Sequence, residues 1–148
     1  MTRHGMSLAV VVLVAAGLLG LMPSAAEAAK SNGAMTEEEA LRLGEDFGIV
    51  VGPVDEEIRK ELKLQKPEGV VVFEVIGNSR ADYAGIKVRA VIKEIDKVEI
   101  RNMIDFGRAL KRAITECNFT VGTYEPADAS EQGVGGLVNF HFVGCARD

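Results

Sequence analysis

The spacing of apolar and polar residues divides this chain into short alternating stretches of helix and strand. Thr36-Glu37-Glu38-Glu39 ahead of Ala40 and Leu41 is a capping box. It predicts a helix over 37–43, with three glutamates where the helix dipole favours them and Gly44 as the stop. Phe47 to Gly52 is a short β-branched run flanked by glycine, a strand pattern. Asp55 can cap a helix that places Ile58, Leu62 and the region of Leu64 on one face. Val70 to Ile76 is the next strand. Gly77-Asn78-Ser79 breaks it, with Ser79 as cap of a helical segment over 80–84 and Gly85 as its end.

A strand over 88–95 and a brief one over 98–100 come next, separated by Asp96-Lys97. Asn102 then caps a helix from 103 to about 114, on which Met103, Phe106, Gly107, Leu110 and Ile114 form one apolar stripe. Two alternating segments, 119–124 and 137–143, read as an antiparallel hairpin around a Gly- and Ala-rich loop. The order is helix, strand, helix, strand, helix, two short strands, helix, strand, strand. It predicts an α+β domain with a mostly antiparallel sheet.

The N-terminus has a different pattern. Met6 to Met22 is almost wholly apolar, Pro23-Ser24 breaks it, and Ala26-Glu27-Ala28 fits a small-x-small cleavage site. Residues 1–28 are therefore expected to be a secretory signal peptide, placing the protein in the periplasm or outside the cell. The alternative is an uncleaved anchor, although a run of about 17 residues is at the short end for a bilayer span. Membrane association is expected only in that case. Residues 29–45 are then a leader and short helix, and 46–148 the folded domain.

Charge narrows the partners. The net charge of −5 is unchanged by removing residues 1–28, which carry only Arg3 and Glu27. An acidic chain without a basic cluster points away from nucleic acid and anionic lipid. Export also bears on Cys117 and Cys145, because an oxidising compartment favours their pairing. With Tyr124 opposite Leu137, Cys117 falls opposite Gly144 and within reach of Cys145. Such a disulfide would stabilise the hairpin base by about 3–4 kcal/mol on the chain-entropy model.

Catalytic chemistry is sparse. His141 is the one histidine outside the N-terminal segment, and it lies within an alternating strand. A Ser-His-Asp triad needs a serine and a carboxylate held against that ring. Ser31 is in the leader, Ser79 acts as a cap and Ser130 is in the loop, so no catalytic residue is assigned. One histidine and two paired cysteines do not suit zinc, and Glu37–Glu39 are more simply capping residues than a metal site. No cofactor is expected. Asn118-Phe119-Thr120 matches the glycosylation sequon, which matters only in a eukaryotic secretory pathway.

Four segments together resemble a PDZ domain of the bacterial HtrA-protease-associated kind. They are Phe47-Gly48-Ile49, Gly69-Val70-Val71-Val72 with Val75, Asn78 to Ile86, and Val91-Ile92 through Ile100 to Leu110. The resemblance runs from about Asp46 to Val143 and implies a PDZ-like, partly open antiparallel barrel or sandwich with two or three short helices. The protease domain that usually accompanies such a module is not expected within these residues. Three positions depart from the family pattern: Arg89-Ala90 replaces Gly-Asp, Asp96-Lys97 replaces Asn-Gly, and Arg80 replaces proline. Without glycine, these turns must change type or carry strain.

What the resemblance implies is recognition of C-terminal or extended apolar peptides by strand addition. Phe47, Gly48 and Ile49 would form the carboxylate loop, and Ile49, Val50 and Val51 would pair with the peptide. Met103, Gly107 and Leu110 would form the far wall. The alternative is a closed fold making a fixed contact in envelope or secretion machinery. A solvent-exposed edge at 49–51 favours the first, and an edge covered by 36–46 favours the second.

Overall fold

A computed structural model describes residues 33–127 and 136–145. The expected signal peptide and the tip of the terminal hairpin lie outside the described residues. Among those described, no helix is long and apolar enough to cross a membrane.

The fold is α+β, as expected. Its elements are α1 (Glu37–Phe47), β1 (Ile49–Pro53), α2 (Glu56–Glu61), β2 (Val70–Val75), α3 (Arg80–Tyr83), β3 (Val91–Ile95), β4 (Val98–Glu99), α4 (Met103–Glu116), β5 (Phe119–Glu125) and β6 (Leu137–Val143). Thr36, Asp55, Ser79 and Asn102 each accept a backbone N–H from three residues ahead, so all four sequence-predicted caps start helices.

The six strands form one antiparallel sheet in the order β1-β2-β3-β5-β6, with β4 paired to β3. β1 and β6 are therefore its two edges. One face packs on α1, α3 and α4 through Ile49, Val72, Ile92, Phe106, Leu110 and Val121. The other is covered only in part: α2 and the turn after it lay Ile58, Leu62 and Leu64 over Val71, Val91 and Tyr124. Lys93 is half-buried beside this second cluster. Burial lowers its pKa from the ordinary lysine value against the opposing pull of Glu68 and Glu99, and its Nζ donates to the Glu68 carbonyl at 2.8 Å.

The turns at Arg89-Ala90 and Asp96-Lys97 take the left-handed backbone without glycine. Arg89 has φ 72°, Asp96 47° and Lys97 67°. The tight β3–β4 connection thus has positive φ at both central residues despite carrying side chains there. Asp96 offsets part of the strain, since its carboxylate accepts the Thr120 N–H at 2.8 Å and its own N–H donates to the Thr120 carbonyl at 2.9 Å.

Two expectations need correction. Gly44 does not stop α1, which runs on to Phe47 and ends at Gly48. Gly44 is buried within the helix, where a Cβ would lie 3.2 Å from the Ile49 carbonyl and 3.4 Å from both Phe106 and Val51. The glycine is there for close packing. The terminal hairpin also pairs one residue away from the expected register: Tyr124 faces Val138 and Glu125 faces Leu137. This places Cys117 opposite Cys145, with Cα atoms 4.4 Å apart in a disulfide.

The one-residue difference reverses every side chain of β6. The expected register would have turned Phe140 and Phe142 toward the core with Val121 and Phe119. Instead His141 and Val143 are buried, and the two phenyls face solvent.

Candidate functional site: the groove between β1 and α4

Gly48 sets the geometry at one end of the groove. It closes α1 with φ 117°, a backbone state reserved largely for glycine, and an added Cβ would overlap Ser79. Its N–H donates to the Gly44 carbonyl at 2.9 Å. Its carbonyl accepts the Ile76 N–H at 2.8 Å and, more weakly, the Ser79 hydroxyl at 3.5 Å. The Gly48 N–H, a donor expected to meet a ligand carboxylate, is thus spent on the helix cap.

Because the Gly48 carbonyl points toward β2, strand alternation directs the Ile49 backbone groups away from the sheet, along the outer edge of β1. That edge is the one a ligand strand would use. The Ile49 carbonyl lies beneath Gly44 of α1. Across the groove, Gly107 of α4 meets the same helix: a Cβ there would lie 2.6 Å from Met35 Sδ and 2.7 Å from Ala40 Cβ. Gly44, Ala40 and Gly107 are small residues that let α1 settle between β1 and α4. Lys111 Nζ to Glu39 Oε1, at 2.7 Å, ties the exposed rim.

Of the expected residues Phe47, Gly48, Ile49, Val50, Val51, Met103, Gly107 and Leu110, the first is the end of α1 and the second its cap, and the others lie on β1 and α4, between which α1 is seated. Ile49, Val51, Met103 and Leu110 are buried, while Val50 is partly exposed. Phe47 does not line the groove as an open pocket wall. It is the last residue of α1, turned into the core with its ring 5.7 Å from that of Phe119.

His141 has structural partners on both ring nitrogens: Nδ1 is 3.0 Å from the Ala84 carbonyl and Nε2 is 2.9 Å from Thr123 Oγ1. These contacts tie β6 to the end of α3. Glu125 Oε1, 4.0 Å from Nε2, is buried without a hydrogen-bond partner among the described residues. Among the described residues, no group of three or more His, Cys, Asp or Glu is placed to hold a metal.

The other edge of the sheet was not singled out from the sequence. Val138, Phe140 and Phe142 project from β6 into solvent, with Phe142 79% exposed. An open pocket of about 360 Å³ adjoins Phe142, lined also by Asp96, Asn118, Thr120 and Gly144. At the same end of the strand, Arg80 donates to the Gly144 and Cys117 carbonyls at 2.8 and 3.0 Å. Its guanidinium carbon sits 5.4 Å from the centre of the Phe119 ring. The signal for this edge was available in the two cysteines. Setting them directly opposite each other gives the observed register and turns the phenyls outward.

No family model matches the chain, and no curated protein matches it. Among solved structures it is similar to the crystal structure of the HtrA3 PDZ domain bound to a phage-derived ligand, FGRWV. The TM-score is 0.48 and the identity 19%, over 68% of this chain and 84% of that one.

Proposed function

We propose that this chain is an exported PDZ-like protein-binding module with a groove closed by its own helix, making a fixed protein–protein contact in an envelope or secretion assembly. One observation carries the reading: α1 occupies the space between β1 and α4 where a peptide strand would add. A ligand strand needs the backbone edge of β1 within about 4.8 Å, and α1 lies over that edge. The role is binding rather than catalysis, in keeping with the engagement of both His141 ring nitrogens by structural partners.

The second reading is C-terminal peptide recognition after α1 swings away. It is favoured by the assembly of the expected loop, strand and helix wall around one groove. A library of free C-terminal peptides presented to the wild-type chain separates the two. The closed-groove reading expects no selected motif. Micromolar selection of apolar C-termini, mapped to Ile49–Val51 and α4, would replace it with the peptide reading.

A further inference from the structure

Among the described residues, no strand pairs with the outer edge of β6. Thr120 bonds toward β3 through both its N–H and its carbonyl. Strand alternation then gives Phe119, Val121 and Thr123 to β6, where they exchange bonds with Val143, His141 and Asn139. The remaining residues of β6, Val138, Phe140 and Phe142, point their N–H and carbonyl groups outward. No strand among the described residues pairs with them.

Exposed edges are usually blunted by lysine, proline, a bulge or a short strand. β6 has none of these. It is seven residues long, Leu-Val-Asn-Phe-His-Phe-Val, without an acidic residue, lysine, arginine or proline, and its pairing with β5 has no register shift. The same residues with free backbone groups also carry the exposed apolar side chains. Gly122 leaves room for this arrangement: a Cβ there would come within 3.2 Å of the Phe140 ring. The disulfide and the Arg80 contacts hold the register that keeps both phenyls out of the core.

We infer that β6 is a docking strand for a second copy of this chain, paired antiparallel about Phe140. This rests on the closed-groove reading, since it supplies the contact that the filled groove does not. The strand is self-complementary. Centred on Phe140, the pairing sets Phe140 opposite Phe140 and Val138 opposite Phe142, so every outward-facing backbone group meets another from the same set. Charge does not oppose this occupant locally: each copy carries a net charge of −5, but the strand itself brings no carboxylate to the junction. Area is consistent with it as well. The phenyls, 56% and 79% exposed, present on the order of 250 Å² per chain. That is roughly a third of the 800 Å² each partner contributes to a standard interface, before Leu137, Val138 and the backbone edge are included.

The test is sedimentation equilibrium of the full chain beside Phe140→Asp and Phe140→Lys, each checked for folding by its thermal melt. A dimeric wild type is expected, with the mass halved in each variant because like charges then face each other across the two-fold axis. An equimolar mixture of the two variants should regain the dimer. That rescue cannot come from misfolding and fixes the register at residue 140. A wild type that stays monomeric overturns the inference and leaves β6 to a strand of another protein. A dimer that persists in both variants also overturns it. The outcome is separable from the closed-groove reading: peptide selection at β1 would defeat that reading whatever the mass, and a monomer that selects no peptide would defeat only this one.

Discussion

The sheet ends in two edges that are managed in opposite ways. β1 has the expected groove residues, and the chain covers it with eleven residues of its own, seated by Gly44, Ala40 and Gly107. β6 has an uncharged strand with phenyls turned outward, and no strand among the described residues covers it. The covered edge is built from small side chains that allow close approach. The bare edge is built from large ones that gain little while exposed to water. The contrast separates what stabilises the monomer from what remains for a partner.

The largest perturbation of the contrast is removal of the disulfide. Replacing both Cys117 and Cys145 by serine should lower unfolding stability by about 3–4 kcal/mol for the intervening loop, read from the denaturant midpoint. It should also loosen β6 while leaving α1 docked. Gly107→Leu acts on the other edge. The added side chain has no space against Met35 and Ala40, so a loss of about 1–3 kcal/mol is expected, with faster hydrogen exchange along α1 and none at β6.

Arg80→Ala is a milder perturbation of β6. It removes the donors to the Gly144 and Cys117 carbonyls and should cost about 1–2 kcal/mol, with exchange rising at 142–144. Lys97→Gly is the smallest and has the opposite sign. Relief of a left-handed residue at φ 67° should stabilise by up to about 1 kcal/mol in thermal melts, without altering exchange at either edge. A change at β1 or β6 in that variant would show that the turn strain is coupled to the edges.

Much of the fold was legible because local chemistry specified it. Thr36, Asp55, Ser79 and Asn102 can be identified as caps from their side-chain type and from the helix-forming residues after them. The α4 stripe is set by spacing alone, and Met103, Phe106, Gly107 and Leu110 are all buried. That the groove is filled was harder to read, because glycine at 44 looks the same whether it stops a helix or lets it pack closely. The β6 register was ambiguous for a related reason. Leu137–Val143 has apolar residues on both faces, so alternation alone fits either of two pairings, and it is the Cys117–Cys145 pair that places His141 inside and Phe140 outside.

Residue-resolved amide hydrogen exchange, measured on the wild-type chain at low and high concentration, compares the two edges directly. The arrangement described predicts that amides in the docked part of α1, from Ala40 to Phe47, are protected at both concentrations. The outward amides of Val138, Phe140 and Phe142 should become protected only as concentration rises. Rapid exchange throughout α1, with β6 unresponsive to concentration, would contradict it: the groove would be the open edge, and β6 no contact at all.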